Sequence, residues 1–251
     1  MRVGIVAEGR GDLAVIANIL KGKLGLDFED VQFIRPEYDM DETDVHDQAE
    51  ALRGGWGRVK RECVERGRIR EFVENAIDDE ILVLIQIDTA EAHEKGYDIE
   101  RPGRDDPDYA SVLRRRVVEK INAWLEGEGV ERVRHAVAVE ETEAWVLTIF
   151  SAKDTATFGD PKKKLNEVIN KAMPDKERKR HFQLKEYAQA HELTRPFRKR
   201  RELEKCAERN LSLRLFVDSL GEEKQGLIFL GEAHQAQDVE ELLLEIGRAH
   251  V

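Results

Sequence analysis

Apolar residues in the first 140 positions form short runs that alternate with longer segments of helical spacing. The strongest run, Ile81-Leu-Val-Leu-Ile-Gln-Ile87, is typical of a strand that is covered on both faces. Further strands are predicted at 2–7, 31–34 and 133–139, and helices at 12–24, 69–77 and 108–125. This alternation predicts an α/β fold, in which a parallel sheet carries helices on its faces.

Beyond Glu143 the pattern becomes mainly helical. Helices are predicted at 143–150, 160–173, 183–191 and 198–220, followed by a short strand at 226–231 and a closing helix at 239–249. Asp160 before Pro161 is a helix-start signal, because aspartate caps the first turn and proline fits its first position. We therefore expect a metal-binding α/β domain over residues 1–150 and a helical C-terminal region over 151–251 packed on it.

Charge is unevenly distributed along the chain. The net charge of −11 argues against a general nucleic-acid-binding surface, yet residues 162–214 contain 17 Lys and Arg against 8 Asp and Glu. This segment therefore carries +9 and the rest of the chain −20. An acidic body suits a bound cation and a basic segment suits a phosphate backbone, although a solvated helical face explains the same segment equally well.

Cysteine use and hydropathy predict the compartment. Cys63 and Cys206 are far apart and belong to no Cys-x-x-Cys pair, so neither a disulfide scaffold nor a zinc ribbon is expected. No apolar run approaches the length of a membrane span, and the first residues lack a signal-peptide pattern. These features predict a cytoplasmic protein that has no membrane partner.

Acidic residues follow three of the predicted strands. Glu8 follows the first, Asp88 the strongest, and Glu140 and Glu141 the last, while Glu143 opens the next helix. The carboxyl ends of parallel strands meet at one crevice, where like charges are unfavourable unless a cation lies among them. The pattern therefore predicts a Mg²⁺ or Mn²⁺ site built from these acids. Each acid taken alone is equally well explained as a helix cap or a rim residue.

Two strand ends resemble the motifs of TOPRIM domains. Glu8-Gly9, placed after a strand and before Asp12 and a helix, is similar to the first motif, whose glutamate acts in acid/base chemistry on phosphodiesters. Ile85-Gln-Ile-Asp88, followed by Thr89 and Ala90, is similar to the second motif, in which a strand ends in Asp-x-Asp and binds Mg²⁺.

A third segment, Val139-Glu-Glu-Thr-Glu-Ala-Trp145, resembles the Glu-Ala-Trp segment of the DUF4276 family of TOPRIM-like proteins. Asp160-Pro161-Lys162 and the segment 211–216 are similar to that family's helical C-terminal part, and the likeness extends to residue 220. The resemblance implies a Mg²⁺-dependent phosphodiesterase, and among these enzymes it favours a nuclease that acts in phage defence. The implied catalytic residues are Glu8 and Asp88, and the ion is held by Asp88 with Glu91 or Glu143.

One position departs from this resemblance. The second aspartate of Asp-x-Asp is Ala90 here, and an alanine side chain cannot ligate a metal. Glu91 is adjacent and Glu94 lies a little further on, so either is a candidate replacement. A second hypothesis follows: a catalytically impaired TOPRIM-like module that binds or regulates a partner, such as an ATPase.

The segment Gly9-Arg-Gly11-Asp-Leu-Ala14 also satisfies the dinucleotide-binding fingerprint G-x-G-x-x-A after a strand. Against this third hypothesis, Asp12 and Glu8 place negative charge where a pyrophosphate should bind. The sequence contains no Walker A loop, no zincin motif and no α/β-hydrolase elbow.

Basic residues predict where a nucleic acid would bind. Arg58 and Lys60 fall in a Gly-rich segment, 53–61, predicted as a loop that can close over a substrate. The other candidates lie in the basic segment: Lys162, Arg198 and Arg200. DNA is favoured over RNA as the substrate, while an ATPase partner and a homodimer stay open.

Overall fold

The protein is described by a computed structural model over residues 1–36, 55–76, 80–156, 158–172 and 184–221. Within these ranges the strands are β1 (Arg2–Val6), β2 (Val31–Arg35), β3 (Ile81–Asp88) and β4 (Val133–Ala138). They form one sheet in the order β2-β1-β3-β4, and every neighbouring pair is parallel. The predicted α/β class with a parallel sheet is confirmed. The strand order reverses at β1, which has β2 on one side and β3 on the other.

Helices make up most of the remaining described residues. They are α1 (Arg10–Leu24), α2 (Gly55–Glu65), α3 (Gly67–Asn75), α4 (Tyr109–Trp124), α5 (Thr142–Leu147), α6 (Pro161–Ala172), α7 (Tyr187–Leu193), α8 (Arg200–Ala207) and α9 (Leu211–Ser219). The described chain beyond residue 150 is helical, as predicted. No helix in these ranges is long and apolar enough to cross a membrane.

Alternating side chains of the strands build one hydrophobic core on each face of the sheet. In β3, Leu82 and Leu84 face the first core, whereas Val83, Ile85 and Ile87 face the second. The run is apolar at every position except Gln86 because both faces of the strand are covered. The first core includes α1 and α5 to α9, and the second includes α2, α3 and α4. The helices after residue 150 thus share a core with the sheet.

Two predicted elements differ from the structure. Residues 55–61, predicted as a loop, begin α2, because Trp56, Val59 and Cys63 recur at helical spacing and pack into the second core. The helix predicted over 198–220 is divided into α8 and α9. Asn210 separates them, since its side chain accepts a hydrogen bond from the Leu213 N–H at 3.0 Å and caps α9. The strand and helix predicted at 226–231 and 239–249 lie outside the described residues.

Candidate functional site

A cleft of about 610 Å³ opens beyond the carboxyl ends of β1 and β3. It lies where the strand order reverses, which is where open parallel sheets bind ligands. The starts of α1, α2, α5 and α6 and the segment after β3 contribute to its walls. The lining includes four predicted metal ligands, Glu8, Asp88, Glu91 and Glu143, together with Asp12.

Hydrogen bonds tie the acidic strand ends together. Asp88 ends β3, and its Oδ1 accepts from the Thr142 N–H at 3.1 Å, the Thr142 hydroxyl at 2.9 Å and Gln86 Nε2 at 3.0 Å. The Asp88 N–H donates to Glu8 Oε1 at 2.7 Å. Gln86 Oε1 in turn accepts from the Glu8 N–H at 2.9 Å. One network therefore connects the ends of β1 and β3 with the start of α5.

Burial changes the proton affinity of these carboxyl groups. It raises the pKa of Glu8 to about 8, and the fields of Asp12 and Glu91 act in the same direction. It raises the pKa of Asp12 to about 6 and that of Glu143 to about 7. The pKa of Asp88 is well above its usual range because the group is buried beside Asp12, Glu8 and Glu143. A cation in the cleft would relieve this repulsion.

Lys162 brings a positive charge to the same cleft. It lies in the first turn of α6. Asp160 caps this helix as predicted, since Asp160 Oδ1 accepts a hydrogen bond from the Lys163 N–H at 2.9 Å. Lys162 Nζ lies 2.6 Å from Glu141 Oε1. Burial by itself would lower the pKa of Lys162, but the hydrogen bond to Glu141 and the fields of Glu143 and Glu141 raise it. The amine therefore stays charged.

Glycines allow backbone segments to approach the cleft closely. A Cβ atom at Gly55, the first residue of α2, would lie 2.7 Å from Glu8 Cβ and 2.8 Å from Glu8 Oε2. A Cβ atom at Gly11, in the first turn of α1, would collide with the carbonyl oxygen of Leu184. A larger residue at either position would force these segments away from the acids.

Helix α1 begins two residues earlier than predicted. Gly9 occupies the position before its first residue, Arg10, so Asp12 does not cap the helix. Asp12 lies in the first turn and lines the cleft. Burial raises the pKa of Asp12, and the neighbouring Thr142 and Lys162 act in the opposite direction.

Glu140 does not reach the cleft, contrary to its prediction as a metal ligand. Its two carboxylate oxygens accept from Arg101 Nη2 at 2.6 and 2.7 Å, and Oε1 also accepts from the Tyr109 hydroxyl at 2.5 Å. The backbone at Glu140 is left-handed, with φ 65°. The chain turns there, and Glu143 rather than Glu140 lines the cleft.

The position of the missing motif aspartate also lies apart from the cleft lining. Ala90 N–H donates to the Glu140 carbonyl at 2.9 Å, and the Ala90 carbonyl accepts from Arg101 at 3.1 Å. Glu91 lines the cleft, whereas Glu94 accepts from Trp56 Nε1 at 3.1 Å. Of the two candidate replacements, Glu91 is therefore the one that the structure places at the site.

The predicted nucleic-acid contacts separate into two groups. Arg58 and Lys162 line the cleft. Lys60 instead donates to the Gly96 carbonyl at 2.8 Å and lies 5.8 Å from the centre of the Trp124 ring. Its amine is therefore engaged in holding α2 to neighbouring segments.

Arg198 and Arg200 lie outside the cleft lining and differ from each other. Arg198 Nε donates to Asn18 Oδ1 at 2.6 Å, and its Nη2 contacts the His191 ring. This guanidinium joins α1 to α7, which gives Arg198 a structural role, and its contact with a nucleic acid stays a prediction. Arg200 is 69% exposed and pairs with Glu204 on α8 at 3.1 Å.

Three residues of the site were not among the predicted ligands: Asp12, Gln86 and Thr142. Gln86 is the one polar residue in the apolar run of β3, and this was a signal for a buried polar contact. Asp12 was visible as an acid in the first turn of a helix. Nothing local marks Thr142, because its role depends on Asp88 from a distant strand.

The donor set suits a small, hard cation. The described residues contain no group of three or more His, Cys, Asp or Glu side chains arranged to hold a metal ion. Mg²⁺ needs fewer protein ligands than such a group would supply. It prefers oxygen ligands, keeps several waters and often binds one or two carboxylates together with substrate phosphate. Glu8 and Asp88, which meet in one network, satisfy that requirement.

Comparison with known proteins found no relative of this chain. The chain matches no family model, no curated protein and no solved structure. The residues that line the cleft are therefore the basis on which its function is inferred.

Proposed function

We propose that the cleft is the active site of a Mg²⁺- or Mn²⁺-dependent phosphodiesterase of TOPRIM type. The observation that carries this proposal is the meeting of Glu8 and Asp88 in one hydrogen-bonded network at the switch point of a parallel sheet, with Lys162 in the same cleft. The motif resemblance extends the proposal to a nuclease that acts on DNA rather than RNA, in the setting of phage defence.

In this proposal Asp88 and Glu8 hold the ion, and Glu91 or Glu143 assists from the same cleft lining. When bound, the ion would stabilise the negative charge that develops on the phosphate oxygens. Burial and like charges make these groups costly as free carboxylates, which is the condition that favours cation binding.

Residues of the chain supply the remaining functions. Lys162 stays protonated and Arg58 extends into the same cleft, so both attract a phosphodiester. Glu8 either binds the ion or moves the proton: in the metal-free cleft its pKa is raised to about 8, which suits an acid/base role if other acids hold the ion. The cleft volume of about 610 Å³ falls within the range of small-ligand sites, so it suits a short stretch of substrate.

A binding or regulatory module is the second candidate, and Ala90 is the observation that favours it. A strand end without the second motif aspartate has one fewer hard oxygen ligand. Such a module would keep the fold and the acidic cleft while a partner, for example an ATPase, supplies chemistry.

The dinucleotide alternative has less structural support. The Leu184 carbonyl lies against Gly11, where a pyrophosphate would have to approach the backbone, although the burial of Ala14 fits the third position of the fingerprint. Glu8 and Asp12 both line the cleft at the start of α1, where the pyrophosphate would have to bind.

Metal-dependent cleavage is the direct test. Purified protein is incubated with Mn²⁺ and labelled single-stranded DNA, duplex DNA or RNA, and Mn²⁺ affinity is measured by calorimetry. We expect Mn²⁺-dependent cleavage that Asp88→Asn abolishes. Glu167→Gln serves as the control, since Glu167 lies on α6 outside the cleft lining and pairs with Lys164.

Two results would count against the proposal. Equal Mn²⁺ affinity in wild type and Asp88→Asn would exclude the metal site. A folded protein that binds Mn²⁺ through Asp88 yet cleaves none of these substrates would favour the binding module.

A further inference from the structure

The two carboxylate oxygens of Asp88 have different surroundings. Oδ1 accepts three hydrogen bonds, two from Thr142 and one from Gln86. Among the residues that the structure describes, none donates to Oδ2, although Asp88 is only 8% exposed and lines the cleft. The described residues therefore hold one oxygen of this cleft-lining carboxylate and not the other.

The two carboxylate oxygens of Glu8 also have different surroundings. Its Oε1 accepts from the Asp88 N–H at 2.7 Å, while Oε2 lies on the side of Gly55. Gln86 connects the two acids, because its amide oxygen accepts from the Glu8 N–H and its nitrogen donates to Asp88 Oδ1. Gln86 and Thr142 are completely buried, so bulk water does not compete for these bonds.

We propose that Gln86 and Thr142 are positioning residues that restrict Asp88 to one coordinating oxygen and thereby make the cleft prefer Mg²⁺ or Mn²⁺ over Ca²⁺. This inference rests on the metal-dependent function proposed above. Ca²⁺ takes about six to eight oxygen ligands and often uses both oxygens of a carboxylate, whereas Mg²⁺ is octahedral and keeps several waters. Because Oδ1 is engaged by Thr142 and Gln86, only Oδ2 is left to coordinate an ion. One oxygen suits Mg²⁺, whereas Ca²⁺ loses the second oxygen of a bidentate carboxylate.

Thr142→Val is the main test variant, since it removes the hydroxyl donor and keeps the branched shape and the backbone N–H. Thr142→Ser restores the hydroxyl. Thr148→Val is the matched control: Thr148 is equally buried at the other end of α5, but its hydroxyl donates to the Trp145 carbonyl at 2.6 Å. Gln86→Met removes the amide at similar side-chain length.

Affinities for Mg²⁺, Mn²⁺ and Ca²⁺ are measured by calorimetry on variants whose folding is verified by thermal unfolding. We expect wild type to bind Mg²⁺ and Mn²⁺ more tightly than Ca²⁺. Thr142→Val and Gln86→Met should reduce this preference by about tenfold or more, the effect typical of groups that orient a ligand. Thr142→Ser and Thr148→Val should keep it.

Asp88→Asn separates failure of this inference from failure of the proposed function. Suppose Asp88→Asn abolishes Mn²⁺ binding while folded Thr142→Val keeps the wild-type preference. Then the metal site stands and the positioning role is overturned. Mn²⁺ affinity that Asp88→Asn does not change would overturn the metal site and this inference together.

Discussion

Residues 90 and 91 show how one position changes the chemistry of a strand end. The backbone of Ala90 is bonded to the Glu140 carbonyl and to Arg101, and Ala90 is not part of the cleft lining. Glu91 does line the cleft, and its charge helps to raise the pKa of Glu8 beyond the effect of burial. The carboxylate at position 91 therefore lines the same cleft as Glu8 and acts on its proton affinity.

We accordingly predict that Glu91→Gln lowers Mn²⁺ affinity by about tenfold or more and reduces cleavage, whereas Ala90→Asp changes both little. Glu94→Gln is the matched control, because Glu94 is bonded to Trp56 outside the cleft lining. Calorimetry and the cleavage assay measure the three variants. A gain in affinity from Ala90→Asp, together with a silent Glu91→Gln, would contradict this assignment.

At the scale of elements, the starts of α2 and α3 form a natural comparison. Gly55 begins α2 and lies against Glu8. A side chain at position 55 would therefore move α2, and with it Arg58, away from the cleft. Gly67 begins α3, and a Cβ atom there would meet nothing within 4 Å. The two glycines have the same helical position and different surroundings.

Gly55→Ala should therefore lower the melting temperature and the Mn²⁺ affinity, because the added methyl group collides with Glu8. Gly67→Ala should leave the affinity unchanged and keep or raise stability, by up to about 1 kcal/mol from reduced backbone entropy. Thermal unfolding and calorimetry compare the pair. Equal behaviour of the two variants would show that α2 does not approach Glu8 this closely.

One arginine takes part in a polar junction between α1 and the C-terminal helices. Arg198 bonds to Asn18 of α1 and to His191 of α7, and Asn18 Nδ2 also donates to the Thr194 hydroxyl at 2.7 Å. Asn18 and Thr194 are buried. This polar junction holds two parts of the chain together inside the first core.

We predict that Arg198→Ala lowers the free energy of unfolding by about 1–3 kcal/mol, since it leaves the buried Asn18 without one partner. Arg200→Ala, the control on the exposed face of α8, should change it by less than about 0.5 kcal/mol. Urea unfolding measures both. Comparable stability of the two variants would contradict the structural role of Arg198.

At the scale of the whole molecule, the buried acids make stability depend on pH. The pKa values of Asp12, Glu143 and Glu8 are raised to about 6, 7 and 8, above their ordinary values of 3.8 and 4.5. Between those ordinary values and the raised ones, the folded protein binds more protons than the unfolded chain. The contribution of these groups to stability is therefore present in acid and lost as pH rises through that window.

We expect the metal-free protein to lose stability between about pH 5 and pH 8 through these groups, and Glu8→Gln to flatten the decline. Mn²⁺ should restore stability at the alkaline end, by about 2.7 kcal/mol at a concentration a hundred times its Kd. Urea unfolding across this pH range, with EDTA or Mn²⁺, measures both effects. Glu167→Gln is the control, and an identical pH profile for Glu8→Gln and wild type would refute the prediction.

Local sequence patterns were sufficient to predict a parallel sheet and the acids that end its strands. Periodicity is a local property, so β3 was predicted at 81–87 and is observed at Ile81–Asp88. Helix boundaries were less certain where a tertiary contact competes with a local preference. The glycines near residue 55 indicated a loop, but burial of Trp56 and Val59 in the second core makes the segment helical.

Which of these acids meet in one site depends on how the chain folds. Glu140 and Glu143 are neighbours in sequence, yet Glu140 pairs with Arg101 and Glu143 lines the cleft. The contacts that complete the site join distant positions: Gln86 bonds to Glu8 across 78 residues of chain. Local patterns carry no information about such pairs, because they depend on where the strands and helices are placed by packing.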